Sequence, residues 1–418
     1  MAKPAAKQLS LPDRNFTCTD CGRCCRDWYV AILPEELERL KALPWMGDGP
    51  AAGLSVRIGD GTYLAHRTDH TCIYFDREQQ HCRIHAQFGA EAKPIGCRIY
   101  PYTISPTFAS EFSVMPRFDC PAIRESTGRP ISRDMGMIRL YVEALQLSGG
   151  YDRHDLGALR ADVARRIVNG IFNSIVADNK LAPAIRMKGA MIAVNRFEEL
   201  GSDFLNDIEL DKILPSFFER VIDDAAALRP KRFMSGFERW RFLYLLAGYL
   251  CRDEEVVGGP LSARMARSLA MGRIIFGGGN ARHLGRDNPD WKMSNRRLFD
   301  DEITNVDTVD LTLYWDMLKL RLQSYQFFGS SVFNFGFHFG LKNLFLTFPL
   351  VVEAARWSAA SRDDEDLTIT AKDIDFAVTS IDHSFGRSRF LRMGLITILT
   401  RQMSEIDSYA KLIHSIFH

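Results

Sequence analysis

Eight of the nine cysteines in this 418-residue chain fall between Cys18 and Cys120. No other feature restricts the fold as much. A single buried cysteine behaves as a small hydrophobe, but eight within about a quarter of a chain call for a shared partner. The leading run is Cys18-Thr19-Asp20-Cys21-Gly22-Arg23-Cys24-Cys25, in which two C-x2-C pairs overlap. Two residues between thiolates let both sulfurs face one ion or cluster, with the intervening amides turned inward. Gly22 suits the tight turn that this needs.

Cys18, Cys21 and Cys24 have the spacing of the first three ligands of a bacterial ferredoxin run, but Cys25 follows at once, so a remote fourth ligand is required. Cys72, Cys82, Cys97 and Cys120 are the candidates, and Cys120 precedes Pro121. The metal-ligand set read from the sequence is therefore Cys18, Cys21, Cys24, Cys25, Cys72, Cys82, Cys97 and Cys120. These allow two four-sulfur sites, or one site plus structural cysteines. Spacing leaves zinc and an iron–sulfur cluster both open, since both accept four thiolates. The tight triplet leans toward a cluster of the 4Fe–4S kind. His81 and His85 lie beside thiols and read as surface or hydrogen-bonding residues. Cys251 follows an apolar helical stretch and reads as core.

The fold class expected is mainly α: a small, irregular, Cys-rich α+β module, then an all-α helical domain. The division is a tail over 1–15, the metal or iron–sulfur module over 16–130, and the helical domain over 131–418. Within the module, Pro34–Lys41 starts as a helix should, with Pro and Glu in its first turn. Tyr63–His66, Cys72–Phe75 and Phe112–Met115 read as short strands. Ser148-Gly149-Gly150 punctuates the chain, and helical periodicity follows. Met187, Met191 and Val194 share one face, as do Phe237, Trp240, Tyr244 and Ala247. Thr370 reads as an N-cap ahead of Ile374, Val378, Ile381 and Phe385. Loops are expected near Arg252–Pro260, Gly277–Asp290 and Ser361–Asp366. The Phe-rich stretch Phe327–Phe348 reads as core rather than as a docking surface. His383, at the end of a helix, reads as a cation facing the helix dipole, since neighbouring Asp382 should point elsewhere.

Composition bounds the function. Lys plus Arg is 53 and Asp plus Glu is 52, so no general drive toward nucleic acid exists. The N-terminus has no secretory h-region, and the most apolar run, Leu344–Val352, is too short to span a bilayer. These features lead us to expect a cytoplasmic protein, where clustered thiols serve as ligands rather than disulfides. A chain this long buries a core without a metal's help, so a bound metal would serve a local fold or chemistry.

The pattern Cys18-x2-Cys21-Gly22-x-Cys24-Cys25, then Cys72-Ile73-Tyr74, Cys82, Cys97-Arg98-Ile99-Tyr100-Pro101 and Cys120-Pro121, resembles the CxxCxxCC zinc- or iron-chelating family. That family includes YkgJ-type cysteine-cluster proteins and the bacterial flagellin lysine N-methylases. The resemblance covers roughly residues 16–125, and the helical remainder is similar to the methylases in length and texture. It implies a thiolate-held iron–sulfur cluster or zinc. It further implies methyl transfer from S-adenosylmethionine to lysine side chains of a bacterial protein such as flagellin. The alternative is a non-catalytic or redox cysteine-cluster protein that binds a partner through its helical domain. Methyl transfer needs a neutral amine and a proton acceptor; Tyr100, Tyr102 and Asp119 are candidates, and nothing in the sequence selects among them. No Gly-rich strand–loop–helix marks a Rossmann donor site, and Ile274–Asn280 reads as a turn. The C-x3-C-x2-C spacing of radical S-adenosylmethionine chemistry also fails, because Trp28 stands at the third position.

Overall fold

The computed structural model describes residues 8–45, 53–58, 61–69, 71–108, 111–144, 156–230, 232–252, 261–292, 306, 308–362, 368–388 and 390–417. The expected boundary at Ser148–Gly150 lies outside these residues, as do most of the loops expected at Arg252–Pro260 and Ser361–Asp366.

The N-terminal part is built from short pieces. Strands β1 (Gln8–Ser10) and β2 (Asn15–Phe16) precede the cysteine run, and a single turn, α1 (Cys24–Asp27), closes it. Helix α2 (Pro34–Ala42) has Pro34 in its first turn, and the Glu36 carboxylate accepts from the Leu33 amide at 3.1 Å. That carboxylate also accepts from the amide of Ile95 at 2.7 Å, tying α2 to a segment about sixty residues away. Two hairpins follow: β3 (Ser55–Ile58) with β4 (Gly61–Leu64), and β5 (Phe75–Asp76) with β6 (His81–Cys82). The second is turned by Asp76, whose carboxylate accepts from the amides of Glu78 and Gln79. Helices α3 (Arg83–Phe88) and α4 (Ile95–Ile99) come next. A small apolar cluster of Val30, Ile32, Leu40, Leu64, Tyr74, Phe75 and Ile84 holds these pieces together.

The chain then crosses to a second, much larger core. Strands β7 (Tyr102–Pro106) and β8 (Glu111–Pro116) pair antiparallel, with Ile104 opposite Val114, and β1 adds parallel to β8. Phe112, Val114, Met115 and Phe118 are buried in or beside the helical core. Helix α5 (Pro121–Arg124), strand β9 (Arg129–Pro130) paired with β2, and α6 (Met135–Ala144) complete this passage.

The rest is helical: α7 (Ala161–Ile171), α8 (Pro183–Leu200), α9 (Ser202–Asp207), α10 (Leu210–Ala227), α11 (Gly236–Leu250), α12 (Leu261–Ile275), α13 (Thr312–Ser324), α14 (Phe337–Ala360), α15 (Ala371–Ser384), α16 (Gly394–Met403) and α17 (Ile406–Phe417). Helix α14 is apolar on nearly every side and lies at the centre, with α8, α15, α16 and α17 packed around it. Such a helix is either a core helix or a membrane span. Here no helix among the described residues is long and apolar enough to cross a membrane. The protein is thus mainly α, with its few strands in the N-terminal part.

Several local expectations hold. The Thr370 amide donates to Asp373, and Ile374, Val378, Ile381 and Phe385 are buried. Phe327, Phe328, Phe337, Phe345 and Phe348 lie in the core. Residues 277–280 form a turn after α12, with Gly277 and Gly279 at positive φ. The α11 stripe differs. Phe237 is exposed and stacks on Trp240 at 5.7 Å, whereas Phe242, Leu245, Leu246 and Tyr249 are the buried positions. Of the expected stripe, Ala247 is buried and Trp240 and Tyr244 are half-buried against the core, so the stripe meets the core only beyond its first turn.

Candidate metal centre

The cysteine run is shaped by backbone before side chains matter. Asp20 and Gly22 both take positive φ, at 51° and 68°. At Gly22 a Cβ would also stand 2.4 Å from the Phe75 ring, so only glycine fits. The Cys25 amide donates to the Gly22 carbonyl at 3.0 Å, and the Cys72 amide donates to the Cys25 carbonyl at 2.7 Å. That second bond fastens the first cysteine segment to the next. Cys82 pairs with Phe75 across the β5–β6 hairpin. Cys97 stands in α4 just after Pro94, and Cys120 is the N-cap of α5.

Seven thiols line one open cavity of about 390 Å³: Cys18, Cys21, Cys24, Cys25, Cys82, Cys97 and Cys120. Cys72 is buried in the wall behind, packed with Cys25, Cys82 and Cys97 in the small apolar cluster, whereas Cys120 belongs to the large core. None of the nine cysteines is in a disulfide, and Cys251 is buried among the helices, away from the cavity lining. His81 and His85 stand on the cavity wall. Among the described residues, no three His, Cys, Asp or Glu donors meet closely enough to chelate one ion as they stand. The sulfurs ring a space instead of meeting at a point. A soft donor set of this kind suits zinc or an iron–sulfur cluster over oxygen-seeking cations.

Burial and mutual proximity favour the neutral form of these thiols. Burial pushes the Cys72 and Cys120 thiols up to about 12. Backbone amides of Tyr74, and of Ile123 and Ala122, act in the opposite sense by donating to those sulfurs. Cys24 is raised by its hydrogen bond with Cys25 and by burial, and Cys97 by burial and by Cys72. Among the cations on the wall, Arg98 pairs with Glu91 at 2.6 Å, Arg129 with Asp134 at 2.6 Å and Arg23 with Asp287 at 3.3 Å. Lys93 has no carboxylate partner among the described residues. Burial lowers its ammonium, but the charges of Cys82, Cys97, Cys24 and Cys25 outweigh this and raise it.

Behind the cavity lies a buried polar network. Asp119 accepts from Tyr100 Oη at 3.3 Å and from both Nε and Nη2 of Arg117, and His383 Nδ1 lies 3.1 Å from its Oδ2. Asp382 accepts from the Phe118 amide at 3.0 Å and from Arg321 Nε at 3.1 Å. The Arg117 guanidinium sits over Trp28 and Tyr100. The expectation for His383 is therefore corrected. It is buried with Asp382, and both meet the turn before Cys120, because α15 ends against that turn and not in water. Sequence reasoning weighed Asp382 and His383 but placed them at a solvated helix end, and it missed Arg321. The available signal was an Asp–His pair closing an apolar helix.

The same network decides among the proton acceptors considered for methyl transfer. Burial would push the Asp119 carboxyl up, but Arg117, His383 and Arg387 outweigh it and hold it well below the usual carboxylate range. Burial raises the phenols of Tyr100 and Tyr102, and Tyr102 Oη donates to Asp134 at 2.8 Å. All three groups are committed, and none stands as a free base.

Neither the curated proteins nor the solved structures compared with this chain give a match. Residues 17–121, the segment that carries all eight clustered thiols, match the family model CxxCxxCC, described as "Putative zinc- or iron-chelating domain".

Proposed function

We propose that the protein holds an iron–sulfur centre through its N-terminal thiols, and that it acts as a methyl transferase on lysine side chains of a partner protein, with S-adenosylmethionine as donor. One observation carries the first part: seven free thiols line a single cavity of about 390 Å³. A zinc ion draws four sulfurs to about 2.3 Å from one point. Thiols spread around a wider space suit the separated corners of a cluster. The second part rests on the likeness of the cysteine pattern to flagellin lysine N-methylases, with flagellin as the model acceptor.

When bound, such a centre supplies redox or Lewis-acid chemistry beside the cavity. This chain's own residues would do the remainder. The ligands would come from Cys18, Cys21, Cys24, Cys25, Cys82, Cys97 and Cys120, with Cys72 behind them, and Lys93 offsets their negative charge. Tyr100 lines the cavity and Trp28 packs against its ring at 5.2 Å. Because Asp119, Tyr100 and Tyr102 are committed, water at the open rim would take the proton of an incoming lysine ammonium before the neutral amine accepts the methyl group.

That commitment also favours a second reading, a redox or non-catalytic cysteine-cluster protein whose helical part docks a partner. Anaerobic purification with iron, zinc and acid-labile sulfide analysis tests the centre. Iron with sulfide and a visible chromophore supports the cluster; zinc without sulfide replaces it, and a metal-free native protein overturns it. Calorimetric titration with S-adenosylmethionine then separates the readings. Heat of binding supports the methylase. No binding, with a chromophore that dithionite bleaches reversibly, supports the redox reading.

A further inference from the structure

We infer that the helical region is a working part of the metal centre, with Asp382, His383 and Arg286 as positioning residues for the thiols. This rests on the metal-binding reading above and extends it to residues far outside the cysteine segment.

Two separate grips support it. The first holds the Cys120 wall. Asp382 takes the amide of Phe118 and His383 meets the carboxylate of Asp119, two consecutive residues directly before Cys120. Both contacts span 264 residues of sequence. The second holds the segments that carry Cys25 and Cys72. Arg286 Nη2 donates to the carbonyl of Arg26 and Nη1 to the carbonyl of Asp69, each at 3.0 Å. Arg26 follows Cys25, and Asp69 lies three residues before Cys72, so one guanidinium fastens both cysteine segments. Arg23, between Cys21 and Cys24, pairs with the neighbouring Asp287.

Stability alone does not account for the first grip. Asp382 lies in the last turn of α15, at the negative end of the helix dipole, where a carboxylate is disfavoured. It is 1% exposed and paired with Arg321. Buried ion pairs are often replaceable by apolar side chains without loss of stability. A local rule broken at a buried position points to a functional constraint, and the constraint visible here is the placement of the Phe118–Cys120 turn. Partners that orient metal ligands from behind typically set affinity by about 10- to 100-fold.

The test compares full-length His383→Leu and Arg286→Ala with the wild type. Two rates are followed: release of the bound metal to a chelator under anaerobic conditions, and alkylation of individual cysteines in metal-free protein, read by mass spectrometry. Cys251, buried in the helical core, reports global opening. We expect both variants to release metal about 10-fold faster or more. We also expect His383→Leu to speed alkylation at Cys120 and Arg286→Ala to speed it at Cys25, with Cys251 unchanged. Alkylation that rises equally at Cys251 would show a merely structural role and overturn the inference, as would wild-type metal release in both variants. Arg286 bonds carbonyls near the surface, so its variant remains informative if His383→Leu fails to fold. A wild type that binds no metal would instead defeat the metal-binding reading, while the alkylation rates would still test the placement of the thiols.

Discussion

At the scale of single residues, the two classes of cysteine make opposite predictions. Cys97 is a helix residue on the cavity wall whose thiol is close to Cys72, Cys82 and Cys24. Cys251 is a core residue outside that lining. Cys97→Ser is expected to lower bound metal per chain well below the wild-type value. Cys251→Ser is expected to leave it unchanged, with elemental analysis of the purified proteins as the measurement. Equal metal content in both would remove Cys97 from the ligand set. A second residue fixes a pH response. Burial holds the His338 imidazole down to about 4 from 6.5, and its Nε2 has no hydrogen-bond partner among the described residues. The unfolded chain therefore takes up this proton first, and stability is full above pH 6.5 and falls as the pH drops toward about 4. His338→Met should flatten that decline in denaturant titrations across the window; an unchanged slope would assign the decline to other groups.

At the scale of elements, caps and close approaches set the costs. The Ser235 hydroxyl accepts from the Glu238 amide, and the Glu238 carboxylate accepts from the Ser235 amide at 2.7 Å, forming a capping box at the start of α11. Ser235→Ala should cost about 1 kcal/mol, measured as a shift in chemical denaturation midpoint. Glycine at 340 lets the central helix α14 touch the turn before it, where a Cβ would stand 2.3 Å from the Phe327 carbonyl oxygen. Backbone cannot yield as a side-chain tip can, so Gly340→Ala should cost roughly 1–3 kcal/mol. Elements of this kind were legible in part. The Pro34 helix and the Thr370 helix start were readable because caps and first-turn residues act locally. The buried face of α11 was legible only in part, through Ala247, because a helix apolar over much of its circumference carries no single stripe for periodicity to find.

At the scale of the whole molecule, the two apolar clusters divide the work. The cluster around Tyr74 and Phe75 is small, whereas the helical core is large and draws in β7, β8 and the Cys120 turn. Stripping the metal with a chelator should therefore leave the helical circular dichroism signal almost unchanged, while limited proteolysis opens the segment before residue 100. Loss of the helical signal with the metal would show that the core depends on it. A fragment of residues 16–130 alone should fail to unfold cooperatively. It would expose Val114, Met115 and Phe118, each worth about 1.5–3 kcal/mol of burial, against a typical domain stability of only ~5–15 kcal/mol.

The sequence by itself determined which residues could serve as soft ligands, since thiol chemistry and C-x2-C spacing are properties of a few neighbouring residues. It also determined the mainly helical class, through caps and apolar periodicity. Only the tertiary structure decided that the thiols surround one cavity, that Cys72 stands behind its wall, and that Asp382, His383 and Arg286 grip the loops which carry the cysteines. The thiols come from segments up to about a hundred positions apart and the three gripping residues bond to loops more than two hundred positions away, and contacts across such distances leave no local pattern in a single chain.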